Sequence, residues 1–286
     1  MTEGWICEEQ SPGVRLCLEV EEPLLHLRTT CQDLALTRTR AFGRLLALDG
    51  RYMVTERDWP FYHEMLVHPA LLSHARPERV LVVGGGDGGA ARLALEHPSV
   101  STVTLVEIDP GVISVARAHL ASVHGGALDD PRLQVVIAPA EEFVPARTRE
   151  FDAILVDSTD PVGPGEALFR RAFWTGCAAA LRPGGILSLQ AGDPFYHPEV
   201  LAGAMAGLRE VFPVVIPHLG FVPSYPSGLW AYVLAGDRSL DVKESVLEKR
   251  FHSRRLTTRY YTPQLHRAAA VLPRFVDEIV RSEEAR

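Results

Sequence analysis

Residues 80–89, VLVVGGGDGG, run from an unbroken apolar stretch through a glycine-rich turn into the helical pattern of GAARLALE. A strand without polar alternation has both faces covered, and that occurs in parallel sheets flanked by helices. Glycines after such a strand let the backbone bend sharply and approach a ligand. The same texture recurs downstream. Strands are expected at 80–84, 102–107, 133–138, 153–156 and 185–189, separated by helices near 89–96, 111–120 and 167–181. Ligands of a sheet built this way bind at the carboxyl ends of its strands. FYHEMLVHPALLSHA, from Phe61, shows helical spacing ahead of the first of them, while LWAYVLAG and a helix near 242–251 read as the sheet's edge and a tail.

Upstream, VRLCLEV, LLHLRTT, DLALTRT and RLLALDGRYMVT alternate with period two, and Asp49-Gly50 between two apolar runs signals a hairpin. The expected organisation is an antiparallel β domain over 1–60 followed by an α/β domain over 61–286. With 286 residues and 47% hydrophobic content, a substantial core is available.

The net charge of -7 and a pI near 5.9 argue against nucleic acid, whose phosphates call for a clustered basic face. A cationic ligand suits the chain better. Cys7, Cys17, Cys31 and Cys177 are scattered without a CxxC pair, so reduced thiols are expected, with Cys177 buried in an apolar helix. MTEGWICEEQ has no basic-then-apolar leader pattern, and no apolar run approaches the ~20 residues of a membrane span. A cytoplasmic protein is the expectation.

The turn satisfies GxGxxG through Gly84, Gly86 and Gly89, with Glu107 placed to hold a ribose. That much also fits a nicotinamide-dependent dehydrogenase, or glycines that only make a tight turn. Asp87 shifts the reading, because a carboxylate beside a phosphate costs Coulomb energy. It suits a nucleoside carrying positive charge, such as S-adenosylmethionine or its decarboxylated form. Asp157 and Asp160, in LVDSTDPVGPG, follow the fourth strand of the sheet. Turn chemistry ahead of Pro161 explains them locally. It does not explain why three strands deliver carboxylates to one crevice, where they repel one another unless cations bind.

These blocks, with TERDWPFYHEMLVHPAL, VTLVEIDPGVI, FDAILVDSTDPVGPG, VPSYPSGLWAYVLA and TRYYTPQLHRAAAVLPRF, resemble the spermidine synthase family of polyamine aminopropyltransferases from about residue 32 to residue 275. The resemblance implies a Rossmann-like, methyltransferase-type, mostly parallel sheet behind the small β domain. It implies transfer of an aminopropyl group from decarboxylated S-adenosylmethionine to an amine, with methylthioadenosine released, no cofactor, and a homodimer or homotetramer. Gln32, Gly84, Gly86, Asp87, Gly88, Glu107 and Asp109 would hold the nucleoside, Asp87 and Asp157 the aminopropyl ammonium, and Asp157 with Tyr62 would face the attacking amine. His63, Asp160, Gln190 and Tyr225 complete the candidate substrate-binding set, although His63 on its helical pattern alone reads as structural. His197, His218 and His266 lack metal-ligand spacing, so no metal site is expected.

Three positions depart from the family pattern. Pro139-Ala140 replaces the Asp-Gly whose aspartate contacts adenine, leaving backbone, Glu141 or Glu142 to read the base. Met53 replaces the glutamine of LDGxxQ. Gly192 replaces a glutamate shortly after Gln190, with Asp193 next to it. The last two lie where the amine is measured, so cadaverine, agmatine and spermidine stand beside putrescine as acceptors. The competing readings are an S-adenosylmethionine methyltransferase and a non-catalytic relative that binds nucleoside or amine.

Overall fold

A computed structural model describes residues 4–161 and 163–282. Outside them lie the start of the stretch read for a leader, Val162 of the LVDSTDPVGPG block and the last residues of the 61–286 region.

Five strands, β1 (Trp5–Ser11), β2 (Val14–Arg28), β3 (Asp33–Thr39), β4 (Gly43–Leu48) and β5 (Arg51–Thr55), pair antiparallel in chain order. Their alternation splits two sets of side chains between the faces. Leu34, Leu36, Leu46, Leu48 and Val54 join the main core, whereas Leu18, Leu45, Ala47 and Tyr52 form a smaller cluster opposite. Asp49 and Gly50 both have positive φ, +48° and +79°, as the hairpin signal requires.

Cys7 and Cys17 face each other across β1 and β2 and form a disulfide. This corrects the expectation of four reduced thiols. Residues ten apart in the chain become direct neighbours once a tight hairpin pairs the strands, which cysteine spacing alone does not reveal. The thiols therefore give no argument for a reducing compartment. Cys31 is free, and free Cys177 is buried as expected.

Helix α1 (Trp59–Ser73) leads into the second sheet. The order of elements is β6 (Arg79–Gly84), α2 (Gly89–Leu95), β7 (Thr102–Glu107), α3 (Pro110–His119), α4 (Ala121–His124), β8 (Leu133–Ile137), α5 (Ala140–Phe143) and β9 (Phe151–Asp157). Then come α6 (Arg171–Ala180), β10 (Leu181–Gln190), α7 (Pro198–Arg209), β11 (Val214–Phe221) and β12 (Leu229–Gly236). Helices α8 (Glu244–Ser253), α9 (Pro263–Ala268) and α10 (Arg274–Arg281) follow. The seven strands are arranged β11-β12-β10-β9-β6-β7-β8, with β6 to β10 parallel and β12 and β11 antiparallel at one edge.

The unbroken apolar run of β6 has its explanation here. Val80 and Val82 pack into the core around α1, while Leu81 and Val83 pack into a second core with Trp174, Leu201 and Met205. The helix expected over 167–181 begins instead as a 3-10 stretch, Gly163–Phe169, because Arg170 is extended (φ -94°, ψ 144°) and separates it from α6. Chain order reverses between β6 and β9, which opens a crevice at their carboxyl ends. No helix among the described residues is long and apolar enough to cross a membrane.

Candidate active site

The crevice at the carboxyl ends of β6, β7 and β9 holds a cleft of about 920 Å³, counting space open to solvent, and the turn after β6 forms its floor. Gly84 has φ +73°, and a Cβ there would stand 2.3 Å from the Asp157 carbonyl oxygen. The Gly85 N–H donates to that same oxygen at 2.8 Å. The glycines thus allow the turn to lie flat on the end of β9. Gly84→Ala should lower stability by about 1–3 kcal/mol, read by thermal unfolding. A variant as stable as the parent would count against this packing. Gly86 gives Glu107 room, since a Cβ would sit 2.9 Å from its Oε2. Gly88, expected at the nucleoside, is not part of the cleft wall; with φ +81° it turns the chain into α2 against His124 and Leu128.

Asp87, Glu107 and Asp157 converge on this cleft from three segments, each with its side chain largely buried. Asp87 Oδ1 accepts from the Gly89 N–H at 2.7 Å and lies 3.3 Å from His63 Nε2. Burial works against its charge, but the facing imidazole, the Gly89 N–H and His124 together hold the carboxyl below its ordinary range. Asp157 Oδ2 lies 3.6 Å from the same nitrogen. Burial first, and then the Asp87 charge, push the Asp157 carboxyl up to about 6. Glu107 accepts from the Asp109 N–H at 2.9 Å and is pushed up to about 7, chiefly by burial.

Gln32 borders the cleft, and its Nε2 donates to Asp109 Oδ2 at 2.9 Å. Asp109, expected to hold the nucleoside, takes a different place. It is fully buried and absent from the cleft wall. Its Oδ1 caps α3 through the Gly111 N–H, and its Oδ2 takes both Gln32 and the Thr29 hydroxyl. It positions Gln32 by tying the β2–β3 loop to the second sheet. At the opposite wall Pro139 precedes α5, and Ala140 and Glu141 border the cleft while Glu142 does not.

A second chamber of about 400 Å³ adjoins the first and shares Tyr62, Met53 and Tyr225 with it. Asp160 is in its wall, raised by burial with Arg51 opposing, and Oδ1 has no hydrogen-bond partner. Gln190 and Tyr225 are also there, but their polar ends face backbone. The Gln190 amide donates to the Ser158 and Thr159 carbonyls and accepts from the Gly192 N–H. The Tyr225 hydroxyl donates to the Met53 carbonyl. Asp193 does not stand in for the missing glutamate. Its carboxylate takes the Phe195 and Tyr196 N–H groups and the Ser227 hydroxyl.

Sequence reasoning missed Glu8, which enters this chamber from β1, 4% exposed, with Oε2 unpartnered. Burial pushes it up to about 7. The signal was the pair Glu8-Glu9, since neighbours on a strand point to opposite faces and one of two acids must point inward. His63, in the candidate substrate-binding set though structural on its helical pattern alone, has its ring beside both Asp87 and Asp157. Among the described residues no group of three or more His, Cys, Asp or Glu is placed to hold a metal.

The family model described as the spermine/spermidine synthase domain matches residues 59–244 of this chain, and the spermidine synthase tetramerisation domain matches residues 4–56. Similar curated proteins include the polyamine aminopropyltransferase of Bacillus mycoides (strain KBAB4), 41% identical over 98% of this chain and 100% of the relative. That of Bacillus subtilis (strain 168) is 40% identical over the same shares. A solved spermidine synthase in complex with the transition-state analogue AdoDATO is similar with a TM-score of 0.94 and 35% identity, over 98% of this chain and 96% of that one. The spermidine synthase from Thermotoga maritima gives 0.91 and 33%, over 98% and 95%. Full-length identity of this order, joined to a two-chambered acidic crevice at the reversal point of the sheet, places the chain plainly: it belongs to the spermine/spermidine synthase family of aminopropyltransferases.

Proposed function

We propose that the chain moves the aminopropyl group of decarboxylated S-adenosylmethionine onto a nitrogen of a small diamine, releasing methylthioadenosine. The observation that carries this is the pairing of Asp87 and Asp157 in one buried pocket, with an acid-lined second chamber beyond Asp157 and Tyr62. Two adjoining cavities, each supplied with carboxylates, fit two cationic reactants that must meet.

The nucleoside lies in the larger cleft with Glu107 and Gln32 on its ribose side and Glu141 near the base. The aminopropyl ammonium sits between Asp87 and Asp157. The acceptor nitrogen attacks the carbon next to the sulfonium, the carbon–sulfur bond breaks, and its electron pair stays on sulfur as a neutral thioether. The reagent is already activated, so the protein contributes orientation and a destination for the proton on nitrogen. An alkylamine near ~10 giving its proton to an ordinary aspartate near ~4 costs about 8 kcal/mol. With Asp157 raised to about 6, the gap narrows to about 5 kcal/mol. Proton transfer therefore accompanies bond formation, when the nitrogen becomes acidic. Tyr62 lies beside this carboxylate.

Acceptor length is set in the second chamber. Glu8 and Asp160 are its acids, and Arg51 already supplies one positive charge acting on both. The remaining charge suits one distal ammonium, hence a diamine such as putrescine or cadaverine. Arg51→Leu should raise kcat/KM for spermidine relative to putrescine about tenfold, since a unit charge several ångströms away is worth one to a few kcal/mol. An unchanged ratio removes Arg51 from specificity.

The test of the whole reading is an amine panel offered with either sulfonium reagent, products identified by mass. Aminopropylated diamine from the decarboxylated reagent supports it. Methyl transfer from S-adenosylmethionine overturns it, as does methylthioadenosine binding without turnover on any amine. The methionine carboxylate would face Asp87 and Asp157, which repel it. The same reading takes 1–60 as a β unit that closes the acceptor chamber and assembles subunits, and 61–286 as the catalytic unit. Trp5 and Leu27, exposed on that first sheet, suit an apolar contact between copies, and light scattering should show a homo-oligomer.

A further inference from the structure

His63 occupies an uncommon position, 1% exposed, with Nδ1 2.8 Å from the Trp59 carbonyl oxygen and Nε2, which has no hydrogen-bond partner, close to two carboxylates, Asp87 at 3.3 Å and Asp157 at 3.6 Å. A carbonyl oxygen only accepts, so Nδ1 carries a proton. If Nε2 did not, its lone pair would face two negative groups in a buried site. The ring is therefore an imidazolium when the site holds no ligand. Its titration follows the geometry: burial pulls the pKa down, but Asp87 and Asp157 outweigh it and lift it to about 9.

The aminopropyl ammonium has to enter this same space. We propose that binding of the aminopropyl sulfonium nucleoside expels the Nε2 proton of His63 to solvent, and that the ammonium takes the place of that proton between Asp87 and Asp157. The donor count supports the exchange. An ammonium has three N–H groups, and Asp87, Asp157 and the freed Nε2 lone pair supply three acceptors. Charge balances as well. Two carboxylates then face an ammonium and a sulfonium, whereas a retained imidazolium would leave an excess positive charge in a buried pocket. Other titratable or charged groups around the ring are Tyr62 on its own helix, Tyr225 across the chamber, Arg92 stacked over Trp59 at 4.7 Å, and His124, whose charge acts on Asp87. None of them is a base placed to take the proton, because the tyrosines are held well above their ordinary range, Arg92 is cationic, and His124 is lowered and faces Asp87 from behind Gly88.

This rests on the aminopropyl-transfer reading, and the test separates the two. Binding is measured by calorimetry at pH 8 in buffers of different ionisation enthalpy. About one proton should leave per molecule of decarboxylated S-adenosylmethionine bound, and none with methylthioadenosine, which has no ammonium. His63→Gln should bind both reagents without proton release, and the contrast between ligands on the unaltered protein stands even if that variant folds poorly. Equal proton counts for the two ligands, or release that persists in His63→Gln, overturn the exchange while leaving aminopropyl transfer intact. Failure of decarboxylated S-adenosylmethionine to bind at all overturns both.

Discussion

Asp157→Asn should cut single-turnover aminopropyl transfer by about 10²- to 10⁴-fold while changing methylthioadenosine affinity less than about threefold. Asparagine keeps the shape at the end of β9 and the backbone contact to Gly85, so the nucleoside cleft stays formed. What it loses, on the proposed mechanism, is the acceptor for the attacking amine's proton and one of two charges holding the ammonium. The carboxylate is buried, its Oδ2 has no hydrogen-bond partner, and burial and Asp87 raise its pKa. Its ionised form is therefore a cost to the fold, and the variant should melt at an equal or higher temperature. A large drop in melting temperature, or undiminished transfer, would remove Asp157 from the catalytic role.

The second large effect is acid stability, which should be nearly level from about pH 7 to about pH 4.5 and then collapse. Two opposed sets of groups produce this shape. Burial lowers His68 to about 3, His218 to about 4 and His266 to about 3, and lowers His97 as well. Between the ordinary 6.5 and these values the unfolded chain binds more protons, so each histidine removes stability as pH falls. Glu8 and Glu107 at about 7 and Asp157 at about 6 behave oppositely. In that window the folded state binds more protons, so acidification favours it until the unfolded carboxyls titrate, down to about pH 4.5. Below this the two glutamates no longer offset the histidine losses, which are joined by Asp87, whose pKa is lowered. The total is several kcal/mol, comparable with the whole stability of a domain. Chemical denaturation at stepped pH measures it. A smooth decline beginning at pH 6.5 would show that the carboxyls do not offset the histidines.

His68, His97 and His266 belong to one network outside the walls of both chambers. His68 Nδ1 meets His97 Nε2 at 3.1 Å, and the Arg254 guanidinium donates to His97 Nδ1 at 3.0 Å. That chain ties α1 to the C-terminal helices and explains why TRYYTPQLHRAA sits against the core when it contributes nothing to either chamber. Tyr261 extends it, its ring 5.4 Å from His68 and its hydroxyl 2.9 Å from His266 Nδ1.

Local pattern sufficed for the parallel strands, the Asp49-Gly50 hairpin, the glycine turn and the convergence of Asp87, Glu107 and Asp157, because each follows from strand period, backbone freedom at glycine, or the rule that ligands gather where parallel strands end. It did not suffice to separate Gly88 and Asp109, which are absent from the cleft wall, from the lining residues beside them in the chain. Nor did it show Glu8, Cys7 opposite Cys17, or the ring of His63 between two carboxylates. Those depend on which distant segments meet: β1 on the acceptor chamber, β1 on β2, and α1 on the ends of β6 and β9. The primary structure alone was enough to expect acids gathered in one crevice, as Asp87, Glu107 and Asp157 are. Only the folded chain set the imidazole of His63 beside two of them, because such a neighbourhood depends on which distant segments pack together rather than on residue type.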